Sequence, residues 1–261
     1  VIVKIISSYS DTSNGESNSC ILPQGLTDLE EKLKPRDLVA KIKTYVLSDH
    51  SSTLMLCLDS SQIDASRFSN ADNILAEKAS ELGNQFAVSD HDLDELGPEL
   101  FANDYMPDRK DFGSGFAKGS LSLRNSWQRL IAHIDNSSDT NKNFLVISGF
   151  IEGAASIHQK FSQKLLDECS RHPVLRQSLV YLHPINRFTE IDLDRCMKLL
   201  DYADIQPFMF EGILWQDEYA DLPHERLLDL SERLLKNPSG YNVLLHAFGM
   251  KLHGQDLSQY T

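Results

Sequence analysis

Apolar residues recur at helical spacing along most of this chain, and that periodicity constrains its fold more than any other feature. Leu38, Ile42, Tyr45 and Val46 lie at i, i+4, i+7 and i+8, with Pro35 where a first-turn proline belongs. Leu75, Ala79, Leu82 and Phe86 repeat the pattern, and Leu123, Trp127, Leu130, Ile131 and Ile134 form a strong stripe. Phe161, Leu165, Leu166 and Cys169 follow, then Leu193, Cys196, Met197 and Leu200 behind a Thr189–Asp192 capping pair. Leu227, Leu230, Ser231 and Leu234 make the next stripe. Leu244, Ala247, Phe248 and Lys251 make the last, stopped by Gly254. The connectors are short and polar, as between packed helices.

Three segments between the stripes, 143–156, 174–185 and 206–220, are apolar nearly all round, as in helices buried between layers. Aligning Gly149 with Gly212 lays FLVISGFI over FMFEGILW, and an amphipathic helix follows each. A buried helix, a loop and an amphipathic helix thus recur. The expectation is an all-α fold, an αα-superhelix of HEAT- or armadillo-like helical repeats in one elongated array. Residues 1–112 read as an irregular helical part, 113–119 as a flexible joint rich in glycine, and 120–261 as the repeat part. The competing expectation is an α/β enzyme domain, hydrolase or nuclease-like, with strands in LMLCLD, FLVISGF and SLVYL. Residues 54–58 fit a strand or a short helix equally well.

Composition narrows the function classes. A chain of 261 residues that is 41% hydrophobic needs neither disulfide nor metal to hold a core. Its net charge of −13 disfavours nucleic acid, because phosphate binding needs a positive surface. No run of 18 apolar residues suits a membrane span. Cys20, Cys57, Cys169 and Cys196 are scattered, with no C-x-x-C pair, which fits a reducing cytoplasm and no zinc site. Cys169 and Cys196 fall on helical stripes and read as small core residues. The absence of Met before Val1 suggests a fragment of a longer protein.

Several segments invite chemistry and decline it. FGSGFAKGS carries three glycines, but the lysine precedes the last glycine instead of following it, so it is no P-loop. Asp90-His91-Asp92 with Asp94 and Glu95 has cation-ligand residue types without an EF-hand glycine. His246 and His253 are seven apart, not the four of a zincin. His183 sits at a helix end, where an imidazole can cap free carbonyls, and His133 reads as exposed. No catalytic, cofactor-binding or metal residue is expected. The charge is uneven: residues 1–100 hold 17 acids against 8 bases, and 81–104 hold seven acids and no base. Asp90, Asp92, Asp94 and Glu95 are therefore candidates for contact with a basic protein partner. Trp215 and Tyr219 are candidates for an aromatic anchor.

Some of these residues also carry a resemblance. The Trp127-x-x-Leu130 helix, the Gly149-Phe150-x-x-Gly153 helix and the closing Gly240, Leu245, Met250, Leu252, His253 helix are similar to the helical-repeat region of large bacterial STAND or NACHT-like ATPases. The resemblance covers roughly residues 22–254. It implies a cytoplasmic helical region that follows a nucleotide-binding core, in some of these proteins as the sensor of an antiviral defence system. ATPase motifs are absent from this chain, as the resemblance implies for a part lying outside such a core.

Overall fold

The structure, a computed structural model, describes residues 35–48, 71–103, 106, 108–136, 142–184, 188–216 and 219–253. The expectations for 54–58, for Cys20 and Cys57 and for the Gly254 stop lie outside the described residues. The described residues are helical: α1 (Leu38–Tyr45), α2 (Ala71–Ala87), α3 (Asp108–Gly119), α4 (Leu123–Asn136), α5 (Leu145–Ile157), α6 (Gln159–Arg171), α7 (Leu179–Leu182), α8 (Glu190–Leu199), α9 (Glu211–Trp215), α10 (His224–Leu235) and α11 (Gly240–Leu252). Single 3-10 turns cover Leu93–Leu96, Pro98–Phe101, Leu175–Ser178 and Pro207–Phe210. Among the described residues, one isolated bridge, Ala102 with Lys142, is the whole of the β-type pairing. FLVISGF and SLVYL are therefore helical, and the two strands they offered to an α/β domain do not form.

The chain divides into two compact units, Val1–Gly153 and Ala154–Thr261, with the division inside α5. In the first unit α3 is the central element. The expected joint at 113–119 is corrected here, because those residues are the body of α3, with Phe112, Gly113, Gly115, Phe116 and Ala117 buried. Glycine loosens an isolated helix by about 1 kcal/mol relative to alanine. Here it lets backbones meet. A Cβ on Gly115 would stand 1.9 Å from the Ser80 carbonyl oxygen of α2, and one on Gly113 would stand 2.1 Å from that of Val146 in α5. Gly149 approaches the Lys110 carbonyl in the same way. Gly115/Gly119 and Gly149/Gly153 are thus two small-x-x-x-small faces, and they bring α2 and α5 against opposite sides of α3. Phe86, Phe112, Phe116, Phe150 and Trp127 fill the space beside these contacts, ring against ring at 5.7–6.3 Å.

The stripes of α2 and α4 bury the faces expected of them: Leu75, Ala79, Leu82 and Phe86, and Trp127, Leu130 and Ile134. The start of α1 differs. Asp37, not a first-turn Pro35, opens the helix, its carboxylate accepting from the Ala40 N–H at 2.8 Å. In the second unit α6 packs on α7 and α8, α8 on α10, and α11 on α9 and α10. Cys169 and Cys196 are buried free thiols, as their stripes implied. The last stripe is corrected. α11 buries Gly240, Val243, Leu244 and Ala247, and leaves Phe248 and Lys251 outside.

Candidate functional site

The densest set of buried polar groups among the described residues lies in the second unit, where α6, α7 and α8 meet. Thr189 and Asp192 close the first turn of α8 as a capping box: the Asp192 carboxylate accepts from the Thr189 N–H at 2.9 Å and from its hydroxyl at 2.7 Å. The helical repeat then places Arg195 one turn on. Its Nη1 donates to Asp192 Oδ1 at 2.6 Å, its Nε to Asp167 at 2.8 Å and its Nη2 to Gln163 at 2.7 Å. One guanidinium thereby ties α8 to α6 through all its faces, while only 8% exposed.

His183 completes the set from the end of α7. Its Nδ1 lies 2.8 Å from the Leu179 carbonyl, so Nδ1 carries the proton and donates it there. The expected capping role for this imidazole is what the structure contains. Nε2 is then the lone pair, and it faces Arg195 Nη1 at 3.3 Å. Burial pulls the His183 pKa down to about 4 from its ordinary 6.5, against the attraction of Asp192. Burial alone would raise the Asp192 carboxyl, but the hydrogen bonds from Thr189 and Arg195 and the pull of His183 bring it below the usual carboxylate range.

Cys196 Sγ stands 3.9 Å from His183 Nδ1. Thiol, imidazole and carboxylate are thus neighbours, the residue types of a nucleophilic triad. Their chemistry runs the other way. A thiolate–imidazolium pair needs a lowered thiol and a raised imidazole, whereas burial pushes the Cys196 thiol up and the imidazole down. The Nδ1 that faces the sulfur already spends its proton on Leu179. This is an internal brace for three helices. Beside it, α6 and α8 leave an open cleft of about 340 Å³ between Asp167, Arg171, Ile191, Lys198 and Tyr202.

The brace predicts a pH dependence. A neutral imidazole held below its unfolded pKa contributes its full stability above pH 6.5, and loses it as pH falls from 6.5 towards 4. The loss is on the order of 3 kcal/mol. Urea unfolding at a series of pH values is expected to show this decline in the native chain and a flatter profile in His183→Asn, whose amide can still donate to Leu179. Parallel profiles would place the titration elsewhere.

The residues expected to contact a partner lie elsewhere. Asp92 and Glu95 form a capping box on the Leu93–Leu96 turn, with the Asp92 N–H donating to Glu95 at 2.8 Å. That hydrogen bond, with His91 at 3.1 Å, holds the Glu95 carboxyl below its ordinary range. Asp94 Oδ1 pairs with His133 Nδ1 at 2.7 Å, and Arg129 donates to the His91 carbonyl, so the acidic turn is fastened to α4. His133 is accordingly 10% exposed rather than free in solvent. Asp90 remains exposed. The run of acids is thus partly spent on ordering its own turn.

Trp215 ends α9 half-buried, and Tyr219 is corrected from a surface anchor to a core residue, 6% exposed and edge-on to Phe188 at 4.9 Å. His246, on α11, is exposed and pairs with Glu211 at 2.7 Å. No group of three or more metal-ligating side chains occurs among the described residues, and no described helix is long and apolar enough to cross a membrane.

What sequence reasoning missed is the outer side of α11. Tyr241, Leu245, Phe248 and Leu252 are 60%, 53%, 58% and 46% exposed. Their spacing of 4, 3 and 4 residues places them in one row on the helix. The 4-3-4 spacing is visible in the sequence, but Phe248 fits the Leu244–Ala247 stripe equally well, and spacing alone does not say which row is covered. The chain matches no protein-family model, no curated protein and no solved structure.

Proposed function

We propose that this chain is a non-enzymatic protein-recognition or scaffolding region. The observation that carries the reading is the outer row of α11: four large apolar side chains about half-exposed in line, on a helix whose adjoining face already forms core. The largest apolar patch that a monomer leaves exposed, typically about 300–600 Å², is often its functional surface. The closed state of the His183–Cys196 pair supports the non-enzymatic part.

On this reading α5–α6 and α9–α10 are recurring units of a helical-repeat superhelix with α7–α8 between them, and a unit with an apolar outer face is one that expects a neighbour. The likeness to the repeat regions of STAND or NACHT-like ATPases agrees with that, and a cytoplasmic sensor of a bacterial defence ATPase is the setting it implies.

A photo-crosslinking residue at position 245, irradiated in cells expressing the chain, is the test. A discrete adduct with a second polypeptide is expected there and not at the exposed Glu232 of α10. No adduct at 245 would remove the reading.

A further inference from the structure

The geometry points to a second copy of this chain as the occupant of the outer face of α11, paired antiparallel about a two-fold axis that passes between His246 and Ala247. The proposal rests on the recognition reading above and names its partner.

The row itself is palindromic. Tyr241, Leu245, Phe248 and Leu252 are separated by 4, 3 and 4 residues, the apolar seam spacing of paired helices. A two-fold axis at the centre of that row places Tyr241 opposite the partner's Leu252, and Leu245 opposite the partner's Phe248. Each level then pairs one aromatic ring with one leucine, and the same patch serves both copies, as an isologous contact requires. A parallel pairing would set ring on ring and leucine on leucine at every level, and alternate wide and narrow layers.

Charge selects the same face. The chain carries −13, so two copies repel wherever their acids meet. Residues 240–253 contain no Asp or Glu. In the antiparallel register the two copies of α11 therefore bring no carboxylate against a carboxylate. Area gives the strength. Aromatic side chains of this size bury roughly 150–250 Å² when fully covered. At the exposures given above, the row offers roughly 400–500 Å² per copy, so about 900 Å² for the pair, a weak and reversible interface.

Sedimentation equilibrium on the full 261-residue chain tests this. A concentration-dependent monomer–dimer equilibrium is expected between about 1 and about 100 µM, in keeping with a weak contact below the standard interface size. Leu245→Lys and Phe248→Glu are each expected to weaken it at least about 30-fold, as loss of a central contact residue does. Both residues are exposed, so circular dichroism and the thermal midpoint should stay unchanged. The register has its own test. An equimolar mixture of L245K and F248E places Lys opposite Glu once and keeps one Leu–Phe level, so it is expected to dimerise several-fold more tightly than either variant alone.

A chain that stays monomeric at about 100 µM overturns self-association, whether the face is then covered by another protein or by a segment of this chain. If the cross-link at 245 meanwhile captures a different protein, the recognition reading stands without the dimer. A mixture no tighter than its components overturns the antiparallel pairing.

Discussion

Asp192→Ala is expected to cost about 3–5 kcal/mol, the loss typical of breaking a buried ion pair from one side. The carboxylate is 1% exposed and accepts from Thr189 and Arg195. Removing it leaves the Arg195 guanidinium in the interior without its closest acceptor and unlocks the first turn of α8 together. Against a domain stability of roughly 5–15 kcal/mol this is a large fraction. Urea unfolding measures it directly.

The cost belongs to the buried cation, left with Asp167 and Gln163 alone, more than to the pair. Asp192→Ala with Arg195→Met is therefore expected to be more stable than Asp192→Ala alone, because well-packed apolar replacement of a buried pair is often neutral. A double variant as unstable as the single would assign the loss to the helix cap instead, which is worth only about 1 kcal/mol in isolation. Asp167, half-exposed, can turn to water when its partner leaves and adds little to the penalty.

The sequence made the elements of this brace visible one at a time. Thr189 and Asp192 have capping-box spacing, Cys196 falls on an apolar stripe, and His183 precedes a proline at a helix end. Each local signal was readable because it depends on neighbours three or four residues away. Their meeting was not, because it depends on how α6, α7 and α8 cross, and Gln163 and Asp167 stand some 30 residues from Arg195. The same limit explains the acidic turn. Asp92 and Glu95 are spaced as a cap within the run, but the His133 that pairs with Asp94 comes from another helix.

Glycine misled for a different physical reason. Three glycines in twelve residues lower helix propensity and read as a joint. What overrides propensity in α3 is tertiary contact that only a missing Cβ permits. Periodicity identifies which residues are small, but it does not say that two other backbones lie against them. The second row of α11 escapes the sequence similarly: Phe248 falls on the Leu244–Ala247 stripe by spacing, and the exposure of Tyr241, Leu245 and Phe248 is visible only once the neighbours are placed.

Gly149→Ala and Gly249→Ala are expected to change stability in opposite directions, although both replace a mid-helix glycine with the best helix former. Alanine gains up to about 1 kcal/mol of helix propensity at either site. At Gly249 a Cβ meets nothing within 4 Å, so the gain stands and the chain becomes more stable by about 0.5–1 kcal/mol. At Gly149 the Cβ would lie 1.8 Å from the Lys110 carbonyl oxygen. That atom is backbone inside α3 and cannot rotate away. Either α5 retreats by more than an ångström, opening the Phe116–Phe150 and Trp127–Phe150 contacts, or both helices bend. Overpacking of this kind costs about 1–3 kcal/mol or more, and partial loss of the ring contacts adds to it, so the propensity gain is outweighed. A melting temperature lowered by several degrees in Gly149→Ala and raised by a degree or more in Gly249→Ala is the expected pair of results. Gly149→Val should exceed both, since two γ-methyl groups enter the same closed space. A neutral Gly149→Ala would mean that α3 and α5 do not approach as closely as their glycines allow, and the packing derived for the first unit would have to be abandoned.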